Sequence, residues 1–496
     1  MIIDLQDNPD APRYLQADVF IAGAGPAGIS LALVLARLRP DWHIVLAEAG
    51  GREEPTQAER DIYSVEQGDR NYSVMDICRR RKLGGTSAHW GGWSKPPDNI
   101  DFMDNPQWSL PAWPFGAEVL APYIAEASAW CEIDTAEFGV ESLSAAQIEH
   151  LLPLSDNSRL AERLFRFSPP TRFGQRYDAE LEQQENLTCL LHANLTAMQF
   201  SGDKLDVAEI SPVGGALTRV AAQSFVLAMG GIETTRHLLN LRDEKNADGE
   251  GIYSPHLGRY FADHYGISPG LLLAPAELRY SRFKDATGPA MPVLTFTETE
   301  LVQSGRGNCA IYLWAEAADD SLLRGYGGQP VTGFIPGEFW HYHVKVIVEP
   351  QPHAASAISL TQQRDALGLR RAKLDWRIHD TDFVSAYELV DVLGDELGTA
   401  GLGRMQVSQP NTEQVRANVT GGCHHMGTAR MAGNSEDGVT DADLRVFGSE
   451  NLYVASSAVI PRYGYSNPTL TTVALSIRLA YHLAGTRHGV ADDQAA

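Results

Sequence analysis

One short stretch constrains this chain more than any other. In DVFIAGAGPAGISLALVLARLRPDWHIVLAEAGG, from Asp18, a short apolar run stops at a glycine turn, an apolar helical stretch follows, and HIVLAE reads as a second buried strand. That is a βαβ unit, and its crossover should be right-handed within a parallel sheet. Gly23, Gly25 and Gly28 form GxGxxG between strand and helix, with Pro26 and Ala27 inside the turn. Glycine serves the tight turn, the close approach of a pyrophosphate and the close packing of helix on strand. The helix N-terminus presents free N–H groups and its dipole to an anion. Glu48, at the end of the second strand, stands where a carboxylate accepts hydrogen bonds from both hydroxyls of a ribose. Together these features predict a dinucleotide site, against the plain alternative of a glycine turn without a ligand. The fingerprint alone does not separate a flavin from a nicotinamide dinucleotide.

The remaining mass and charge narrow the field. With 496 residues the chain has room for about three domain-sized units. A net charge of −23 leaves no basic surface of the size a nucleic acid needs, and it mildly favours a neutral substrate over an acidic one. Cys78, Cys131, Cys189, Cys309 and Cys423 are scattered and never form CxxC, so they signal neither a disulfide framework nor a metal site. The N-terminal segment is acidic and lacks the apolar core of a signal peptide. No apolar run approaches the ~20 residues of a membrane span. The expectation is a cytoplasmic protein in a reducing compartment, with no membrane span.

Strand-like and helix-like patterns alternate along the chain. The first seventeen residues read as a polar lead-in. NLTCLLHANLTAMQF resumes the strand pattern, and TRVAAQSFVLAMGGIETTRHLLNL reads strand, glycine turn, helix. Between about 265 and 415, alternating stretches such as HYHVKVIVEP and SAISLTQQ predict an antiparallel sheet in a separate lobe. The tail returns to strand, loop and helix in NLYVASSAVIP, YGYSNP and TLTTVALSIRLAYHLAG.

Three further segments give the chain a family likeness: RKLGGTSAHWGGWSKP, SFVLAMGGIETTRHLL, and the C-terminal pair GCHHMGTARM and SNPTLTTVALSIRLA. Taken in this order with the N-terminal fingerprint, they resemble the glucose–methanol–choline (GMC) oxidoreductase family of FAD enzymes. The likeness is nearest to members of the pyranose oxidase and glycoside 3-dehydrogenase type. It implies an α/β chain, α+β overall: a Rossmann-like FAD-binding domain with a parallel central sheet, plus a substrate domain on a mainly antiparallel sheet. The first would gather 11–100, 185–265 and 415–490, and the second 101–184 and 266–414. The resemblance places Leu83, Gly84, Gly85, Thr86 and Trp90 along the flavin. It also places Leu195, Ala228, Gly230, Ser457, Pro468 and Thr469 at the cofactor. His89 holds the position where some members link their flavin covalently through histidine.

Removing a hydride from an alcohol carbon leaves a carbonyl, so the hydroxyl proton must also leave. That requires a base within ~3 Å whose pKa lies near working pH, and neutral histidine meets the need without a large shift. Matching GCHHMGTARM to the family's H-x-x-G-T pattern puts the base at His424, with His425 directed elsewhere. The partner position is Asn467, which cannot take a proton but can hydrogen-bond the substrate oxygen. Its plain alternative is the N-cap of the last helix, because Pro468 follows.

The substrate reads less clearly. The KLGGTSAHW stretch and the asparagine resemble pyranose oxidases and glycoside 3-dehydrogenases more than the glucose oxidase type. This implies a secondary hydroxyl of a sugar or glycoside, with a non-sugar alcohol of a natural-product pathway as the alternative. Trp314, Trp340 and Tyr342 offer either stacking faces for a sugar or core packing. Neither the electron acceptor, oxygen or another, nor a homo-oligomer or small partner subunit is legible. A nicotinamide-dependent dehydrogenase, a lyase that keeps FAD without redox use, and a non-catalytic flavin-binding subunit are the competing readings.

Overall fold

A computed structural model describes residues 1–8, 10–68, 72, 75, 77–245, 254–315, 340–408 and 412–488. The first sheet grows from the βαβ unit. Its strands run in the order Ile2–Asp4, Leu187–Leu191, Ile44–Ala47, Tyr14–Ala22, Thr218–Leu227, Lys204–Ser211, Asn194–Ser201. The first five are parallel to one another, and Leu452–Val454 adds a further parallel strand beside Phe225–Leu227. The last two form an antiparallel arm. Ile44–Ala47 is buried along its whole length, as strands covered on both faces must be.

The N-terminal residues are more than a lead-in. Ile2–Asp4 forms an edge strand, and the central strand already begins at Tyr14. The sequence hid this because the edge strand is short and the outer half of Tyr14–Ala22 is partly exposed.

Helix α1 (Pro26–Leu38) starts with Gly25 as N-cap and Pro26 in its first turn, where proline's missing N–H loses no helical bond. It is buried from Ala27 to Ala36, between the sheet and the C-terminal helix. Helix α2 (Gly230–Lys245) follows the second glycine turn. Helix α3 (Asp380–Thr399) covers part of the second sheet, and α4 (Pro468–Ala484) packs on α1 and ends at Gly485, whose φ of 69° suits glycine. Leu31, Leu35, Val473 and Ile477 are fully enclosed around this helix pair. Each such side chain stabilises the fold by about 1.5–3 kcal/mol.

The second sheet is antiparallel throughout, in the order Arg404–Val407, Tyr265–Ala274, Trp340–Val348, Ala310–Ala315, Gly288–Phe296, Leu160–Phe167, Trp93–Ser94. The alternation of HYHVKVIVEP is real: Tyr342, Val344, Val346 and Val348 are buried, while His343, Lys345 and Ile347 are less so. Tyr342 belongs to the core, its hydroxyl donating to the Leu278 carbonyl and accepting from the Leu278 N–H. Trp314 and Trp340 are about half exposed, at 55% and 47%, on neighbouring strands away from the cleft described below.

SAISLTQQ departs from expectation. Ala357–Arg364 pairs with Arg370–Asp375, and Val65–Gln67 completes a separate three-stranded sheet that packs on α2 rather than joining the larger one. Periodicity sets which face is apolar, but not which surface that face meets.

Candidate active site

The carboxyl ends of the parallel strands set the position of the cleft. Ala22, Ala47, Ala228 and Ala455, at or just past four of those ends, all line one cavity of about 1530 Å³ counting its open mouth. This is where open α/β sheets bind their ligands.

At one end stands the glycine fingerprint. Gly23 has φ of 104°, and a Cβ there would lie 2.5 Å from the Ala228 carbonyl oxygen. A Cβ on Gly28 would lie 1.8 Å from the carbonyl oxygen of Gly23, so this glycine serves packing and does not line the cavity. Gly25 and Gly230 face open space, and Pro26 and Ala27 line the same wall. Glu48 is buried, and its two oxygens accept from the N–H groups of Ala24 (2.9 Å) and Gly50 (3.0 Å). Burial raises its pKa, while those two donors oppose the rise. A carboxylate has about four lone-pair sites, so capacity for ribose hydroxyls remains.

Beside Glu48 lies a group the sequence reading missed. Arg81 is partly buried at the cavity wall, and its Nε and Nη2 are buried without a hydrogen-bond partner. Unpaired buried donors, open space over two glycines and a helix N-terminus are what the polar half of FAD would satisfy. The residues present fit that cofactor.

Midway, the LGGTSAHW segment crosses over the fingerprint turn. The Gly84 N–H donates to the Ala24 carbonyl at 2.8 Å, and a Cβ on Gly84 would lie 2.3 Å from the Gly174 nitrogen. Gly84 thus admits the backbone of the helical turn Phe173–Arg176, while Gly85, Thr86 and Trp90 line the cavity and Leu83 is buried. Trp90 is held by its Nε1–H on the Thr171 carbonyl, 2.8 Å away. His89 is exposed and outside the cavity lining. Leu195, Ala228, Gly230, Ser457, Pro468 and Thr469 all line it.

The far end is assembled from separate stretches of chain. His424 lines the cavity, and its Nε2 lies 3.1 Å from Asn467 Nδ2. Asn467 sits at the N-cap position of α4 but makes no side-chain cap bond; the amide turns to His424 instead. His425 packs among Tyr72 and Phe261 and lines the same cavity, with its Nε2 unpartnered. On the other side of His424, its Nδ1 is 3.0 Å from Nδ1 of His264. Burial, then the neighbouring His264 and His425, hold the His424 pKa well below its ordinary value.

The loop carrying His424 is fastened at two points. The Asp263 carboxylate accepts the backbone N–H groups of His424 (2.7 Å) and Cys423 (3.2 Å) and the hydroxyl of Tyr72. Burial raises the Asp263 pKa to about 7. The second point is a disulfide between Cys78 and Cys423, with both cysteines at the cavity wall. The scattered cysteines signal no disulfide framework, and this single bond is the exception; Cys131, Cys189 and Cys309 are free and buried. A separation of 345 residues gives no spacing pattern to read. The expected reducing compartment thereby loses its support from cysteine usage. Among the described residues no helix is long and apolar enough to cross a membrane.

This arrangement can take a proton at His424 Nε2 and hydrogen-bond an oxygen through Asn467, beside a cleft shaped for a dinucleotide. Known proteins resemble the chain that carries it. A sequence model of the GMC oxidoreductase family matches residues 352–476. Paromamine 6'-oxidase of Streptomyces fradiae is 25% identical over 62% of this chain, and the match spans about half (54%) of that relative's length. C-glycoside 3-oxidase of Arthrobacter globiformis is 32% identical over 95% of this chain and 96% of its own. The fold matches formate oxidase of Aspergillus oryzae with a TM-score of 0.61 at 16% identity, covering 96% of this chain and 99% of that one. With a third of its residues shared across nearly the full length of such a relative, this chain belongs to the GMC oxidoreductase family.

Proposed function

We propose that this protein oxidises a secondary hydroxyl of a sugar or glycoside to a ketone. When bound, FAD supplies the hydride acceptor. His424 Nε2 takes the hydroxyl proton, and Asn467 hydrogen-bonds the substrate oxygen as charge develops there. The observation that carries the reading is the pairing of Asn467 at 3.1 Å with His424, which lines the same cleft as the fingerprint glycines Gly23 and Gly25. Asn467 has no ionisable proton, so a single base serves the reaction. The near-full-length likeness to C-glycoside 3-oxidase supports the substrate class.

The cofactor is held without a covalent bond in this reading, because His89 is exposed and does not line the cleft. In this reading 11–100, 185–265 and 415–490 supply the FAD-binding unit, joined by Ile2–Asp4 at its sheet edge, and 101–184 and 266–414 supply the substrate unit and connecting segments. Oxygen is one candidate acceptor and a redox partner the other.

Mixing the yellow protein with glucose, simple glycosides and aliphatic alcohols without oxygen tests the proposal. Bleaching by a sugar or glycoside is the expected result. Bleaching by aliphatic alcohols alone would replace the substrate class, and persistent yellow with glycosides of every tested type would count against the reaction. After acid precipitation, the yellow colour is expected in the supernatant.

A further inference from the structure

His264 has a place in this site that no sequence motif marked. Its Nε2 lies 2.9 Å from the Gly464 carbonyl oxygen and 3.2 Å from that of Tyr463. Carbonyl oxygens only accept, so this nitrogen carries the proton. A neutral imidazole has one donor and one acceptor, which leaves His264 Nδ1 bare. Burial keeps the ring neutral by lowering its pKa to about 4.

The bare nitrogen faces Nδ1 of His424 at 3.0 Å. Two acceptors cannot bond each other, so His424 Nδ1 must hold a proton. His424 is then bare at Nε2, the atom that faces the Asn467 amide N–H₂ at 3.1 Å. Contacts on opposite sides of the His424 ring therefore demand the same tautomer.

The two carbonyls are themselves held in place. The Gly464 N–H donates to Glu349 at 2.8 Å, and Glu349 also accepts the Asn308 N–H at 2.6 Å. Gly464 has φ of 53°, and a Cβ there would lie 2.5 Å from the Asp101 carboxylate. A buried frame thus aims two acceptors at His264, and His264 passes the orientation on.

Resting on the reading of His424 as the base, we infer that His264 is a positioning residue that holds His424 in its Nδ1–H tautomer, leaving Nε2 as the proton-accepting atom. When the substrate O–H proton moves to Nε2, the Nδ1–H bond to His264 stays in place. The resulting imidazolium keeps an acceptor on its far side.

Holoenzyme labelled with ¹⁵N-histidine tests this directly, with His424 assigned by its loss in His424→Asn. The expected spectrum has Nδ1 of His424 protonated and Nε2 bare; a protonated Nε2 would overturn the proposal. His264→Phe removes donor and acceptor while filling the space, and His264→Gln keeps one of each. Flavin reduction in the Phe variant should slow roughly 10- to 100-fold at unchanged half-saturation and FAD content, with the Gln variant within about 5-fold of the parent. A Phe variant at full rate, or Phe and Gln variants equally slow with the His424 signals unchanged, would overturn it. If the Phe variant does not retain FAD, the parent spectrum and the Gln variant still decide. The tautomer needs no substrate, so a failed base assignment is recognised separately, by a His424→Ala variant that reduces its flavin at full rate.

Discussion

The two ends of the cleft are built on opposite plans. At the nucleotide end, Gly23, Gly25, Gly28 and Glu48 lie within a single βαβ unit, and backbone geometry does most of the recognition. At the catalytic end, His264, His424 and Asn467 come from separate segments that meet through side-chain hydrogen bonds, and a disulfide ties the His424 loop to a fourth segment at Cys78. Side chains do the recognition there, and they are correct only when the whole chain is folded. The first end should therefore fail through packing and loss of cofactor, and the second through chemistry while the cofactor stays bound.

His424→Ala should give the largest effect. Flavin reduction is expected to fall about 100- to 10,000-fold with the FAD-to-protein ratio unchanged. Asn467→Ala should lose less, because it removes a hydrogen bond and not the base. Loss of FAD from either variant, read from the visible spectrum, would erase the contrast between the two ends.

The disulfide comes next. Cys78→Ser should lower stability by about 2–5 kcal/mol in denaturant titration, because the bond closes a loop of 345 residues. The unfolded parent should show three thiols without reductant and five with it. Five thiols in both conditions would remove the bond from the catalytic end.

Gly28→Ala probes the other plan. Its Cβ would lie 1.8 Å from the Gly23 oxygen, a backbone atom that cannot move without the turn. We expect about 1–3 kcal/mol of lost stability and a purified protein with little FAD. Molecules that do retain it should react at the parent rate.

The smallest and most discriminating effect is in pH dependence. An exposed imidazole is half protonated near pH 6.5. Burial and the flanking His264 and His425 lower the His424 pKa, so its neutral, proton-accepting form persists to more acid pH. The rate of flavin reduction should hold as pH falls through 6.5 and drop only below it. A loss that begins at or above 6.5 would place His424 in contact with solvent.

Legibility followed the same division. GxGxxG and Glu48 were readable because the conformation each glycine permits is local, and strand and helix periodicity confirm the context from neighbours in the chain. HYHVKVIVEP was readable as a strand for the same reason, whereas the sheet that SAISLTQQ joins was not. His424 and Asn467 were found through a resemblance between motifs, without any spacing that shows their contact.

What the sequence determined alone was the dinucleotide turn, the strand and helix character of its flanks, and the residue types able to take a proton or bond an oxygen. Tertiary structure decided which of those groups meet. It turned Asn467 from helix cap to histidine partner, paired Cys78 with Cys423, left Arg81 with buried donors at the cleft, and placed His264 behind His424. The physical reason is one of range. Backbone conformation and face polarity are set by residues a few positions apart. A hydrogen bond between side chains 160 residues apart exists only after burial of the whole core has brought two distant loops together.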